Sequence, residues 1–308
     1  MAFINKITSV TLTAAAIFTL MPGNVMAYSS KKGWVEKDGK TYYYENGRKL
    51  RSTTLFDDND KYRLLGSDGA MVTKKGWKTI KTQYTKYGDK YKATKKYYIT
   101  KDGTVTTGWK KISGKYYFFD YDGKMAKGCS AYDATTKKYY VTGKDGVRVT
   151  KKGWYQATNT DYTNYGKKVS TKYYYYIKKD GSVTTGFKTI GGKKYYFDYD
   201  GKMFANTYAV IDKKIYVFKP SGEVVTKKGW VTIKYTEKYY SVDYPSTTTT
   251  TLKFYMKKDG TAYEGLKKIN GKYYYFKPYM QKKLMTTIDG VTYTFGRYGY
   301  STSQKKAG

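Results

Sequence analysis

The sequence predicts an all-β fold, an elongated solenoid of stacked β-hairpins with longer projecting hairpins. The motif Val-Thr-Lys-Lys-Gly-Trp occurs three times, at 72–77, 149–154 and 225–230. A second motif, which begins Lys-Asp-Gly, keeps the same spacing at 101–112, 179–190 and 258–269. Such a fixed period indicates repeated structural units that bury their apolar faces on one another. Repeated units present the same surface several times, which is typical of a binding protein.

The first element along the chain is a secretory signal peptide over residues 1–27. Lys6 supplies the positive start, residues 7–21 form a short apolar run, and Val25-Met26-Ala27 has the small-residue spacing of a cleavage site. The repeat domain then occupies 28–308. We expect no transmembrane segment in this mature part, and therefore a secreted protein.

Short hairpins fill most of the repeat domain. Aromatic runs such as 115–120 and 193–198 suit a pleated surface, and Asp-Gly pairs such as Asp122-Gly123 recur between them as turn signals. Three Tyr/Thr/Lys-rich inserts interrupt this rhythm, at 78–98, 155–176 and 231–255. Their alternation and central turn residues predict longer hairpins. A flexible loop is the alternative for 231–255, because it contains a run of five threonines.

Every tryptophan of the chain directly follows a glycine, at Trp34, Trp77, Trp109, Trp154 and Trp230. One structural position therefore takes all the indoles, and we place it at the seam between successive hairpins. Two interpretations remain open for each indole: it packs in the repeated core, or it contacts a ligand. Neighbouring tyrosines of a pair face opposite sides of a strand, so that one packs and the other is available.

The composition argues against catalysis. There is no histidine, which excludes Ser-His-Asp and Cys-His chemistry and the commonest metal ligand. Many acidic residues precede a glycine, where turn formation explains them. The cluster Asp57, Asp58 and Asp60 lacks the pattern of a calcium loop. We therefore expect no catalytic residue, no metal and no cofactor, and we expect the single Cys129 to be buried.

The net charge of +35 favours association with polyanions. For a secreted protein these are wall teichoic acid, anionic polysaccharide or lipid head groups, and no nucleic acid is expected. Lys-Lys pairs that precede the Gly-Trp motifs, such as Lys74-Lys75 and Lys151-Lys152, are suited to contact such polymers. They are equally suited to form a solvated edge that prevents strand aggregation.

Several segments resemble repeats of the cell-wall-binding family, which includes choline-binding repeats and the similar glucan-binding and clostridial-toxin repeats. The resemblance rests on Gly-Trp, Gly-Lys-Tyr-Tyr and Asp-Gly-Lys-Met at fixed offsets. It is carried by GWKKISGKYYFFDYDGKMAKG at 108–128 and by similar segments at 33–50, 186–204 and 265–280. The likeness extends over nearly the whole mature chain except the three inserts.

The resemblance implies a left-handed solenoid with ligands between consecutive hairpins, against the Gly-Trp indole and aromatics of adjacent strands. The matching pairs are Trp34 with Tyr43, Trp109 with Tyr117, Phe187 with Tyr196, and Leu266 with Tyr274. Trp77, Trp154 and Trp230 match the indole position, with tyrosine pairs delayed by the inserts. Choline-binding repeats carry a second tryptophan, which Tyr or Lys replaces here, and this favours a glucan or wall glycopolymer over a choline-bearing polymer.

We therefore predict a secreted, non-catalytic repeat protein of a Gram-positive bacterium that binds cell-wall polymer or extracellular glycan multivalently. Two other functions remain open. The chain could be a surface adhesin or structural protein that acts, or self-associates, through its inserts. It could also be the binding component of a separately encoded wall hydrolase.

Overall fold

The computed structural model describes residues 32–86, 89–162, 168–240 and 245–306, so the predicted signal peptide at 1–27 lies outside the described residues. Strands, bridges and turns make up the described part, which confirms the predicted all-β class. No helix in those four ranges is long and apolar enough to cross a bilayer.

The chain divides into two compact units. Unit 1 comprises residues 1–136 and 141–149, and unit 2 comprises 137–140 and 150–308. The strands of unit 1 are β1 (Gly33–Lys37), β2 (Lys40–Glu45), β3 (Arg48–Lys49), β4 (Thr54–Phe56), β5 (Tyr62–Leu64), β6 (Gly76–Lys86), β7 (Asp89–Ile99), β8 (Gly108–Ile112), β9 (Lys115–Phe119) and β10 (Ser130–Asp133). The division between the units falls within β11 (Lys138–Val141).

Unit 2 contains the remaining strands. They are β12 (Gly153–Tyr162), β13 (Lys168–Ile177), β14 (Gly186–Ile190), β15 (Lys193–Phe197), β16 (Thr207–Ile211), β17 (Lys214–Phe218), β18 (Gly229–Tyr240), β19 (Pro245–Met256), β20 (Gly265–Ile269), β21 (Lys272–Phe276), β22 (Leu284–Ile288), β23 (Val291–Phe295) and β24 (Ser301–Lys306). Successive strands pair as hairpins, and β1–β2–β3 and β22–β23–β24 form three-stranded sheets.

The three inserts form the long hairpins β6–β7, β12–β13 and β18–β19, as predicted, and their strands have 10 to 12 residues. Most other hairpins have strands of about five residues, for example β8 and β9. The threonine run lies in β19, where Thr247 to Thr251 pair with β18 in continuous register. This segment is therefore a strand, because its β-branched residues suit a pleated ladder.

Most Asp-Gly pairs occupy a different place from the one expected, although Asp38-Gly39 and Asp289-Gly290 do form hairpin loops. The loop of the β8–β9 hairpin is Ser113-Gly114, and both residues have the positive φ that a two-residue hairpin turn requires. Asp122-Gly123 instead follows β9, where the N–H of Gly123 donates to the carbonyl of Asp120 at 2.8 Å. The chain then turns back to form a bridge between Phe119 and Met125. Asp122-Gly123 and the other pairs that follow a second strand therefore close the return from a hairpin.

Each return is also the contact to the preceding hairpin. The N–H of Met125, which follows β9, donates to the carbonyl of Lys96 in β7 at 2.8 Å. In unit 2, Met203 donates in the same way to Tyr174 at 2.8 Å. A lone hairpin is marginally stable in water, and these bonds fix each hairpin on its neighbour. The predicted stacking of hairpins is thus present within both units.

Alternate residues of the second strands contribute to the cores of both units. In unit 1, Tyr97 and Ile99 are fully buried, while Tyr98 between them faces the indole of Trp77. Burial raises the pKa of Tyr97 above its ordinary value. Cys129, which we expected to be buried, is only half-buried and lies 3.7 Å from the Thr142 hydroxyl.

Candidate functional site

The described structure repeats one arrangement of aromatic rings, which we call a ring cage. A cage consists of a ring on the first strand of a hairpin, the tyrosine opposite it on the second strand, and a tyrosine on the second strand of the next hairpin. At Trp77 the ring centroids lie 5.3 Å from Tyr98 and 4.9 Å from Tyr117, with planes 76° and 75° apart. Such edge-to-face pairs each contribute about 0.5–1.5 kcal/mol beyond area burial.

The same distances recur at the other two long hairpins. Trp154 lies 5.4 Å from Tyr176 and 5.0 Å from Tyr195. Trp230 lies 5.2 Å from Tyr255 and 4.9 Å from Tyr274. A buried phenylalanine closes the base of each cage: Phe119, Phe197 and Phe276, at 5.8 to 5.9 Å from the indole. The three long hairpins therefore carry the same site.

Glycine explains how the sequence places each of these indoles. Gly76, Gly153 and Gly229 precede the three tryptophans and have φ between +121° and +125°. L-residues with a side chain rarely adopt this region, whereas glycine does so without steric cost. The strand that begins here then pairs Trp77 with Tyr98 in register. The Gly-Trp motif thus turns the chain and sets the indole at the base of the hairpin.

Shorter hairpins carry related ring groups. Phe187 forms a fourth cage, 4.9 Å from Tyr196 and 4.8 Å from Tyr216. Trp34 lies 5.1 Å from Tyr43 in the first hairpin. The predicted pairs Trp34 with Tyr43 and Phe187 with Tyr196 are therefore cross-strand neighbours, as expected.

The structure corrects the other two predicted pairs. Trp109 lies opposite Phe118, at 5.3 Å, while Tyr117 belongs to the cage of Trp77. Likewise, Leu266 lies opposite Tyr275, and Tyr274 belongs to the cage of Trp230. The reason is that adjacent residues of a strand face opposite sides. One ring of the pair faces its own hairpin and the other faces the preceding one.

Sequence reasoning did not include five cage tyrosines among the candidate site residues: Tyr98, Tyr176, Tyr195, Tyr216 and Tyr255. A usable signal was present for all except Tyr216, because each of the other four belongs to an aromatic pair or lies beside a named tyrosine, whereas Tyr216 stands between Ile215 and Val217. Assigning them required the register, since the inserts change the distance from indole to partner tyrosine from 21 residues at Trp77 to 25 at Trp230.

The cages differ in how open they are. Trp154 is 46% exposed and Trp230 is 42% exposed, whereas Trp34, Trp77 and Trp109 are only partly exposed. Beside Trp154 lies a cleft of about 550 Å³, lined by Trp154, Tyr155, Gln156, Tyr174, Tyr195, Met203, Pro220 and Ser221. The indoles of Trp154 and Trp230 are therefore not core residues, which favours ligand contact over packing as their role.

Cationic side chains of the chain itself lie against several of these rings. The Lys96 ammonium is 4.2 Å from the ring centroid of Trp77. The Lys194 ammonium lies 4.1 Å from Phe187 and 5.4 Å from Tyr216. At these distances the electron-rich ring face attracts a cation by about 0.5–1 kcal/mol in exposed sites. The cages can therefore accommodate a cation as well as an apolar face.

The carboxylates near the cages serve the turns. Asp180 accepts the Ser182 N–H at 3.0 Å, and the Lys138 ammonium at 2.7 Å holds the pKa of Asp180 well below its usual range. Burial, together with a hydrogen bond to Asp200, raises the pKa of Asp198 to about 6. In the described part of the chain, no group of three or more potential metal-ligating side chains occurs. The chemistry available at the cages is ring stacking and cation attraction.

Comparison with known proteins finds related repeats. Residues 106–154 and 184–228 match the family model described as "Choline-binding repeat". Residues 264–278 match the "Putative cell wall binding repeat". These matched segments contain the cage rings Tyr117, Trp154, Phe187, Tyr196 and Tyr274.

Curated relatives are much longer than this chain. A glucosyltransferase-S from Streptococcus mutans serotype c is 26% identical over an alignment of 271 residues, which covers 81% of this chain and 16% of that protein. A glucosyltransferase-I from Streptococcus downei is 27% identical over 78% of this chain and 12% of its own length. The chain thus spans less than a fifth of the length of these two relatives.

Among solved structures, choline binding protein F from Streptococcus pneumoniae is 23% identical, with 89% of this chain and 93% of that chain covered and a TM-score of 0.35. CbpJ from the same species is 20% identical, with 88% and 94% covered and a TM-score of 0.35.

Proposed function

We propose that this chain, a member of the cell-wall-binding repeat family, binds a glycan polymer of the Gram-positive cell envelope or of its surroundings without catalysing a reaction. The observation that carries the proposal is the ring cage, which recurs with the same distances at Trp77, Trp154 and Trp230. A wall polymer or glucan repeats its own units, so a chain with repeated sites can engage it at several points.

The physical chemistry of the cages suits sugar rings. A pyranose presents an apolar C–H face that stacks on an indole or phenol, while its hydroxyls keep their hydrogen bonds to water or to polar side chains. Each such contact is weak, but linking several can raise overall avidity by about a hundredfold or more. The net charge of +35 adds long-range attraction to an anionic polymer such as teichoic acid.

Secretion and non-covalent attachment to the wall are part of the same proposal. The predicted signal peptide over 1–27 would deliver the chain outside the cytoplasm, and the cages would retain it there. The roles that we assign to the acidic residues support a non-catalytic chain, because Asp122, Asp145 and Asp180 each accept a backbone N–H two residues later, at 3.0 to 3.1 Å. Carboxylates used in this way stabilise turns.

Sedimentation of the purified mature chain with insoluble polymers tests the proposal. We would use Gram-positive cell walls before and after removal of teichoic acid, and insoluble α-glucan, each with and without free choline. We expect sedimentation with walls or with glucan that choline does not reverse. Release by choline, together with loss of binding after teichoic acid is removed, would instead indicate a choline-type anchor. Sedimentation with none of the polymers would refute the proposal.

A second candidate function follows from the length of three hairpins. Their strands have 10 to 12 residues, so β6–β7, β12–β13 and β18–β19 extend several residues past the cages at their bases. These extensions suit adhesion to another protein or to a second copy of the chain. Adhesion that survives loss of the cages would favour this candidate.

A further inference from the structure

Three of the aromatic sites hold a cation supplied by the chain. Lys96 lies over Trp77 at 4.2 Å, and Lys194 lies over Phe187 at 4.1 Å. The guanidinium of Arg148 lies 5.9 Å from the ring centroid of Trp109. A cation over the ring face occupies the surface on which a sugar or an external cation would have to stack. A ligand at these sites must first displace the resident side chain.

The two lysines occupy the same structural position. Lys96 and Lys194 each lie on the second strand of the hairpin, two residues before the tyrosine that faces the first-strand ring. We call this the minus-two position. Its carbonyl accepts the N–H of the residue that returns from the next hairpin: Met125 for Lys96 and Val224 for Lys194, both at 2.8 Å. Residues two apart in a strand share one face, which directs the ammonium over the cage.

At the Trp154 cage the minus-two position is Tyr174. It is two residues before Tyr176, the cross-strand partner of Trp154, and its carbonyl accepts the N–H of Met203 at 2.8 Å. The position is therefore equivalent to that of Lys96, with a phenol ring in place of an ammonium. At the Trp230 cage the same position is Lys253, which is exposed and accepts the N–H of Met280 at 2.8 Å.

This substitution coincides with the open cleft. Trp154 is 46% exposed and Tyr174 is 41% exposed, and both line the cavity of about 550 Å³. Gln156 and Ser221, whose side chains carry an amide and a hydroxyl, also line it. Two accessible rings and two neutral hydrogen-bonding groups match a pyranose ring, which has an apolar face and a rim of hydroxyls. A cleft of this volume also falls within the range of small-molecule sites.

We infer that the Trp154 cleft is the principal sugar-binding subsite of the described chain, and that Lys96 and Lys194 act as resident cations that weaken the cages of Trp77 and Phe187. Tyr174 then leaves the Trp154 cage without the resident cation that Lys96 supplies to Trp77. This inference rests on the proposed binding of glycan. It adds that the Trp154 cage differs from those of Trp77 and Phe187, and that the minus-two residue makes the difference between these three.

Direct binding of soluble dextran to the mature chain, by titration calorimetry and by quenching of tryptophan fluorescence, tests the inference. We expect Trp154→Ala to weaken binding by about tenfold, and Trp77→Ala to weaken it by a smaller factor, about two- to threefold. Tyr174→Lys, which introduces the resident cation and retains the indole, should weaken binding by several-fold. This variant keeps the inference testable if Trp154→Ala were to unfold unit 2, which far-ultraviolet circular dichroism would detect.

The reverse substitution completes the test. Lys96→Ala removes the cation from Trp77 and should strengthen binding by about two- to fivefold, the equivalent of about 0.5–1 kcal/mol for a cation–π contact. The gain should disappear when Trp77→Ala is added. Lys115→Ala, at an exposed position on β9, is the matched control for loss of one charge and should give no gain.

The outcomes separate this inference from the proposed function. Absence of binding to dextran, to walls and to insoluble glucan would refute both. Binding that Trp77→Ala and Trp154→Ala weaken equally, or that Lys96→Ala leaves unchanged, would retain the proposed function and overturn the inference. Binding of free choline but not of dextran at Trp154 would overturn the assignment of a sugar to this cleft.

Discussion

Replacement of Gly146 by alanine probes the contact that stacks one hairpin on the next. Gly146 lies in the return turn after β11 and has φ +83°, and an added Cβ would lie 2.6 Å from Cε and 2.7 Å from Sδ of Met125. Both distances are far below van der Waals contact. Met125 is buried, so the flexible end of its side chain must repack within the core to admit the added Cβ.

The expected magnitude has two parts. An L-residue in the left-handed region costs about 1–2 kcal/mol, and overpacking a buried contact typically costs about 1–3 kcal/mol. Gly146→Ala should therefore destabilise unit 1 by about 2–5 kcal/mol. Gly114→Ala is the matched control, because Gly114 has φ +80° and an added Cβ would meet nothing within 4 Å. Gly114→Ala should therefore lower the free energy of unfolding only by the backbone contribution of about 1–2 kcal/mol.

Equilibrium urea unfolding, with the slope checked for constancy, measures both variants. A double-mutant cycle with Met125→Ala then isolates the contact, since the cost of Gly146→Ala should fall to that of Gly114→Ala once the methionine is removed. Equal destabilisation by Gly146→Ala and Gly114→Ala would refute the stacking geometry. A cost of Gly146→Ala that persists in the Met125→Ala background would do the same.

Three further expectations concern pH, salt and the long hairpins. The pKa of Asp198 is raised to about 6 in the folded chain from an ordinary 3.8, so the free energy of unfolding falls as pH rises from about 4 to 6. Asp198→Asn should therefore raise the free energy of unfolding by about 1 kcal/mol at pH 7, after reduction for solvent screening, and by almost nothing at pH 4. An equal gain in urea unfolding at both pH values would contradict this. Wall binding should weaken as salt rises from about 0.05 to 0.5 M, because the net charge is +35. Binding that stays constant over this range in a pull-down would indicate that ring stacking, without charge attraction, holds the polymer. The β18–β19 hairpin can be shortened by joining Lys234 to its register partner Thr251 through a two-residue turn. Glycan binding should be preserved, since Trp230 lies at the base of the hairpin. Loss of glycan binding by a folded variant would assign the site to the distal part of the strands.

Much of the fold could be predicted from the sequence because motifs of glycine and aromatic residues recur with a fixed period. The Gly-Trp motif predicted a structural position, and Gly76 and Trp77 occupy the start of a strand as expected. The inserts could be predicted as long hairpins from their alternation and central turn residues, although a flexible loop remained the alternative for 231–255. The place of the Asp-Gly turns could not, because an Asp-Gly pair suits both a hairpin loop and the return turn in which Asp122 caps the Lys124 N–H.

Only part of the site could be predicted from the sequence. The indole positions could be predicted from the motif, but the assignment of Tyr117 to Trp77 depends on which face of β9 each residue of the pair takes. That choice is set by the register and by the stacking of hairpins, which no local pattern encodes. The same limit applies to Lys96 and Tyr174, whose equivalence follows from one backbone hydrogen bond between hairpins.

The central claim is that ring cages, rather than exposed aromatic residues in general, retain the chain on glycan polymer. Quantitative sedimentation with the polymer that binds the wild type tests it most directly, by comparing the triple variant Trp77→Ala/Trp154→Ala/Trp230→Ala with the control Tyr121→Ala/Tyr199→Ala. The control removes two aromatic rings that are 81% and 76% exposed in the return turns. We predict that the folded triple variant loses about a hundredfold or more in apparent affinity, and that the control binds like the wild type. Equal losses in the two, or full binding by the triple variant, would contradict the account.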